Sequence, residues 1–263
     1  MKVFGLASFV VILALVVARP GFAQLSEEQR QQFQQVKERA EKGDAQAQLI
    51  LGSMYAEGLG VSRNLTKAAK WHRKAAEQGL AKAELRVAYE YAYGEGVKMD
   101  HFEAARWLRR AAEQGLPEAQ SQLGACFANG DGVGEDHVEA AKWYRKAADQ
   151  GFPQAQFALG NCYFEGAGVS KDIAEGVAWT RKAAEQGYAP AENSLGLCYS
   201  KGKGVKQDYV EAYKWFDLAA AQGGDTDVDA KMNLSMAERS LTPDQINQGQ
   251  KLAHEFKPHS GSP

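Results

Sequence analysis

Residues 115–150 read GLPEAQSQLGACFANGDGVGEDHVEAAKWYRKAADQ. Pro117 stands where a helix would begin, a place that suits Pro because its missing N–H is not needed in the first turn. Ala119, Leu123 and Phe127 follow at i, i+4 and i+8, one apolar face of a helix. Gly130-Asp131-Gly132 ends that helix, and Val133 anchors the loop. Asp136, with Glu139 three residues on, predicts a capping box at the start of a second helix. Ala140, Trp143, Ala147 and Ala148 share one face of that helix, and Gly151 closes it. The stretch is helix, loop, helix.

The same reading holds along most of the chain. Trp71, Trp107, Trp143, Trp179 and Trp215 fall 36 residues apart, and Cys126, Cys162 and Cys198 keep the same step. Glycine columns run from Gly43 to Gly223, from Gly58 to Gly202 and from Gly60 to Gly204; a fourth holds Gly52, Gly124, Gly160 and Gly196, with Ala88 as its exception. These columns absorb most of the 27 Gly, and no three-residue period accompanies them, which excludes a collagen-like rod. The capping-box pattern recurs as Asp100/Glu103, Asp172/Glu175 and Asp208/Glu211, while the first unit has Asn64/Lys67. Five units run from Gly43 to Gln222 without insertion. A pair of short helices cannot bury its own apolar stripe, but stacked pairs can. The expected fold is all-α, an α-solenoid of 36-residue repeats, with each Trp as an apolar wedge between neighbours.

The flanks read as caps. Residues 24–42 predict an N-terminal capping helix, with Ser26 and Gln29 as its capping box and Leu25, Phe33, Val36 and Ala40 covering the first pair. Residues 223–256 predict a degenerate sixth repeat and a capping helix that restarts at Leu241-Thr242-Pro243, and 257–263 a flexible tail. Upstream, Met1-Lys2, the apolar run Val3 to Ala18 and the small residues of Gly21-Phe22-Ala23 have the three-part layout of a secretory signal peptide over residues 1–23. Sixteen apolar residues are short for a bilayer span, which wants about 20. The chain is therefore expected to be exported, periplasmic or secreted, with Gln24 as its mature N-terminus and no membrane span after cleavage. A net charge of −2 gives no basic footprint for nucleic acid.

The pattern A-x-x-x-L-G-x-x-Y-x-x-G-x-G-V followed by D-x-x-x-A-x-x-W-x-x-K-A-A-x-x-G resembles the Sel-one-like repeat (SLR) family, a relative of the tetratricopeptide repeats. It stands here as Ala155, Leu159, Gly160, Tyr163, Gly166, Gly168, Val169, then Asp172, Trp179, Lys182, Ala183, Ala184, Gly187. Val87 for Leu, Ala88 for Gly, Phe127 for Tyr and Gly176 for Ala are the departures. The resemblance implies a right-handed superhelix of antiparallel helix pairs, scaffold work through protein or peptide partners, and no catalysis, cofactor or metal. It also leaves the chain expected to be a monomer.

Other chemistry is thin. The three Cys share one column, and equivalent residues of stacked helices lie roughly 8–10 Å apart, beyond the reach of a disulfide. They are expected to be free packing residues. His101 and His137 share a column with Leu65, Ile173 and Tyr209, which predicts packing at a helix start rather than zinc, because a zinc site wants three or four ligands. Ser200-Lys201-Gly202-Lys203 matches S-x-x-K, but no S-D-N or K-T-G follows. A cell-wall or β-lactam-related hydrolase working through Ser200 or a thiol is the alternative to a scaffold.

Columns that vary between units mark surface. On the first helices they are Ile50/Arg86/Gln122/Ala158/Ser194, Ser53/Tyr89/Ala125/Asn161/Leu197 and Glu57/Tyr93/Asn129/Glu165/Lys201, at offsets 0, 3 and 7 on one helix face. Solenoids of the tetratricopeptide kind line their concave groove with first helices. The residues expected to bind a protein or peptide are Arg86, Tyr89, Tyr93, Gln122, Asn129, Asn161 and Glu165, with the two tyrosines as anchors.

Overall fold

The computed structural model describes residues 27–223 and 227–258. The expected signal peptide over residues 1–23, Gln24, Leu25, Ser26, residues 224–226 and residues 259–263 lie outside them. Thirteen helices follow one another among the described residues: α1 (Glu27–Glu41), α2 (Ala45–Glu57), α3 (Leu65–Glu77), α4 (Ala81–Tyr93), α5 (His101–Glu113), α6 (Pro117–Asn129), α7 (His137–Asp149), α8 (Pro153–Glu165), α9 (Ile173–Glu185), α10 (Ala189–Lys201), α11 (Tyr209–Ala221), α12 (Asp227–Glu238) and α13 (Pro243–Glu255). From α1 to α11 each packs on the next, giving five stacked helix pairs, an α-solenoid.

Each pair is closed by backbone chemistry. Gly130, at φ 77°, ends α6 in the left-handed region, and Asp136 Oδ1 accepts from the N–H groups of Val138 at 2.9 Å and Glu139 at 3.0 Å. The expected capping boxes are only half built. Asp136 N–H donates to Phe127 O at 2.8 Å across the loop, so it is not free for Glu139, which instead pairs with Lys142 at 2.6 Å. Asp100, Asp172 and Asp208 repeat the loop-closing bond to Tyr91, Tyr163 and Tyr199. Among the described residues a complete capping box is found at Thr242 and Gln245, on α13.

Glycine sets the spacing between units. Gly132 and Gly168, both at positive φ, press against the carbonyls of His101 and His137, where any Cβ would overlap the oxygen. This corrects the expectation for the histidine column: His101 and His137 are exposed and the backbone beneath them is what is packed, whereas Leu65 and Ile173 in the same column are half-buried. Gly124 lies under the Tyr144 ring, whose nearest carbons would be 2.8 Å from a Cβ, and Gly196 lies under Phe216 in the same way. The odd Gly176 faces the Phe164 ring, a large-for-small exchange within one pair.

Trp107, Trp143, Trp179 and Trp215 are buried, and Trp71 is half-buried. A cation three residues on covers four of the rings: Lys74, Arg110, Lys146 and Lys182, with Lys146 Nζ 3.7 Å from the Trp143 centroid. Phe33 and Ala40 of α1 seal the front end. At the back end α13 packs on α11 rather than on α12. Gly249 sits under the Tyr213 ring and Phe256 meets Trp215 edge-on at 5.3 Å.

Candidate functional site

The variable columns are not all surface: the one from Ser53 to Leu197 is half-buried, with Tyr89, Ala125 and Leu197 packed against the core. Tyr93 is 72% exposed; Gln122, Asn129 and Glu165 are exposed, and Arg86, Tyr89 and Asn161 partly so. On α4 the i, i+4 spacing stacks Tyr89 on Tyr93, with centroids 6.3 Å apart and planes at 25°. Tyr89 also donates its hydroxyl to Glu118 Oε1 of the next first helix at 3.0 Å. Burial and that carboxylate push its phenol well above the usual range. Tyr93 therefore presents most of its ring to solvent, whereas Tyr89 is partly buried and tied to Glu118. Arg86 Nη2 bonds Glu95 Oε2 at 3.0 Å, and its Nε lies 4.0 Å from buried Glu90. Asn129 turns to Asp131 in its own loop at 3.4 Å, and Asn161 and Glu165 extend the face onto α8.

Beneath this face the units are joined by a polar column. Gln120 is buried; its amide donates to Ala112 O of the preceding unit at 3.1 Å and accepts from Gln150 of its own unit at 2.8 Å. Gln48 and Gln156 do the same. Two units carry Glu here. Arg110 stands in for the lost amide at Glu84, at 2.9 Å from its carboxylate and 3.4 Å from Ala76 O. Glu192 has Leu218 where Glu84 has Arg110, and burial pushes its carboxyl up to about 7.

The repeat matches in the same step as the columns. The Sel1 repeat pattern fits residues 45–80, 81–116, 117–152, 153–188 and 189–224. The chain belongs to the Sel1 repeat family. A Sel1 repeat protein from Oxalobacter formigenes is 30% identical, with a TM-score of 0.75 over 90% of this chain and 94% of that one. A protective antigen present in uropathogenic Escherichia coli strains, displaying an SLR fold, is 31% identical with a TM-score of 0.57 over 87% of this chain and 56% of its own. No curated protein sequence matches significantly. Sel1 repeat proteins mediate protein–protein contacts on a scaffold that is typically without catalysis.

The residues weighed for other chemistry are dispersed in this Sel1 array. Ser200 Oγ donates to Leu197 O at 3.0 Å and Lys203 Nζ lies over the Phe164 ring, so the S-x-x-K residues do not form a nucleophile and base. Burial pushes the thiols of Cys126 and Cys162 up to about 11, away from the reactive thiolate. No three metal-ligating side chains converge among the described residues, and no described helix is long and apolar enough to cross a membrane. One cluster escaped the column reading. His72 and Glu90, both buried, meet at 2.5 Å. Each was visible as a departure from its column, but nothing in a single column shows what it faces.

Proposed function

We propose that this Sel1 array is an exported scaffold that holds a protein or peptide on the variable face of its first helices, in the concave groove of the superhelix. The observation that supports it is the Tyr89–Tyr93 stack, which leaves a large aromatic ring in solvent. The equivalents of Tyr93 are Glu57, Asn129, Glu165 and Lys201, so packing does not require an aromatic there. A large aromatic ring backed by a second ring is the make-up of an interface anchor. Partners recovered on the immobilised full chain from the exported compartment should bind Tyr93→Glu at least tenfold more weakly, about 1.4 kcal/mol. Undiminished binding moves the contact to another face.

Export rests on residues 1–23 alone. Mass spectrometry of protein collected outside the cytoplasm should find Gln24 at the N-terminus, and intact Met1 in a membrane fraction would indicate an anchor instead.

A further inference from the structure

Two side chains that break the repeat meet a third in one place. His72 occupies a column otherwise filled by Leu108, Tyr144, Thr180 and Phe216. Glu90 occupies one otherwise filled by Met54, Cys126, Cys162 and Cys198. His72 Nδ1 lies 2.5 Å from Glu90 Oε1. With Nδ1–H given to the carboxylate, Nε2 is an acceptor, and Ser53 Oγ lies 3.4 Å from it. Gly52 makes room for the imidazole, since a Cβ there would overlap the ring. Ser53 is partly exposed, on the same face of α2 as exposed Ile50 and Glu57.

Packing does not ask for this pair. The next interfaces fill the same two positions with Leu108 and Cys126, then Tyr144 and Cys162. A buried ion pair carries a desolvation cost, and apolar residues of similar volume often replace it without loss. What the pair adds is an oriented imidazole beside the hydroxyl of a partly exposed serine, the arrangement that activates a serine.

We propose that Ser53 is an activated serine that accepts an acyl or phosphonyl group from a donor reaching the first-helix face, with His72 as its general base and Glu90 as a positioning residue. The hydroxyl proton serves two acceptors by rotation about Cβ–Oγ: Leu49 O at 3.2 Å and His72 Nε2. With an aryl ester as donor, Ser53 Oγ bonds to the carbonyl carbon while its proton passes to His72 Nε2. Glu90 holds the resulting imidazolium. The bond from that carbon to the aryl oxygen breaks, the leaving oxygen takes the proton from His72, and an acyl-serine remains. Ser53 lies in mid-helix, where neighbouring N–H groups are engaged within α2, so no main-chain pair stands ready for an oxyanion. The chemistry expected is therefore single acylation rather than fast turnover.

The test uses the full chain and an alkyl fluorophosphonate probe, with tryptic mapping of the adduct; Ser53 Oγ bonds to phosphorus, the P–F bond breaks, and fluoride leaves while the hydroxyl proton passes through His72 to solvent. One adduct is expected on peptide 43–63, placed by fragmentation on Ser53 rather than Ser62. Ser53→Ala should abolish it. His72→Leu combined with Glu90→Cys copies Leu108 and Cys126 into this interface; it should keep the thermal midpoint and lower the labelling rate at least tenfold. Glu90→Gln leaves an acceptor for His72 Nδ1–H but removes the carboxylate's charge, so the folded variant should label more slowly than wild type and faster than the double variant. The proposal is overturned by absence of an adduct on Ser53 in the folded wild-type chain, by an equal labelling rate in the folded double variant, or by an unchanged labelling rate in folded Glu90→Gln. It stands or falls independently of the groove reading, since the probe needs no partner.

Discussion

The interface between the first and second units and the one between the third and fourth share a backbone and differ in chemistry. In the first, His72 faces Glu90 and, close by, Glu84 is held by Arg110. In the second, Tyr144 lies over Gly124, Cys162 is buried, and Gln156 donates to Ala148 O. Yet Gly96 meets the carbonyl of Leu65 as Gly168 meets that of His137. The spacing of the stack is carried by glycine against carbonyl, and this leaves the side-chain columns free to diverge. Divergent columns are therefore the place to look for chemistry.

The largest effects should come from the shared frame. Trp143→Ala removes a buried wedge in mid-stack and should cost about 3–5 kcal/mol in urea unfolding, with loss of cooperativity between neighbours. Trp71, half-buried under the front cap, should cost visibly less. Equal costs would mean that burial of the indole is not what the column contributes.

Next come single changes that unbalance the polar interface. His72→Leu alone leaves Glu90 buried without its imidazole partner and should cost about 3–5 kcal/mol, although Leu is the residue that the next unit uses. Tyr144→Leu in the apolar interface should cost about 1–2 kcal/mol. If the two match, the chemical contrast between the interfaces has no energetic weight.

Glu192 sharpens the comparison with pH. Its folded carboxyl, pushed up to about 7, lies above the ordinary 4.5, so the folded state holds the proton more tightly than the unfolded chain. The stability tied to that proton is full below about pH 4.5 and is lost as pH rises through 7. A protonated carboxyl can donate as the amides of Gln120 and Gln156 do; a carboxylate cannot. Glu192→Gln should stabilise the protein by about 1–3 kcal/mol at pH 8, change little at pH 4.5, and flatten the profile between them. An unchanged profile would place the titration elsewhere. The smallest effect belongs to Tyr93→Glu, which should stay within about 0.5 kcal/mol in stability because the ring is in solvent.

The period made the fold legible because packing repeats it: the Trp, Ala and Gly columns occupy equivalent surroundings, and Asn64 caps α3 through Lys67 N–H as its place in the column implies. What stayed hidden depends on partners in other columns. Gly176 looks like a defect until Phe164 is seen against it, and Glu139 looks like a capping arm until Phe127 O is seen to hold the N–H it would need. Ser53, His72 and Glu90 lie on three helices across two units, so no comparison of equivalents could bring them together. On the proposed binding face the outer columns hold exposed residues such as Tyr93, Gln122, Asn129 and Glu165, while the column of Tyr89 and Ala125 is half-buried. The columns did not show that Tyr89 is tied to Glu118 while the Tyr93 ring is left mostly in solvent.

The fold-back of α13 onto α11 limits how such an array can change length. With Gly249 under Tyr213 and Phe256 against Trp215, the last regular pair is already occupied on the side where a new unit would dock. A unit appended after residue 223 would have to evict α13, whereas a duplicate of residues 117–152 inserted in the middle would find a matching glycine, carbonyl and glutamine on both sides. Lengthening by tandem duplication is thus open to the interior of the chain and closed at its end, and interior copies are the ones left to diversify.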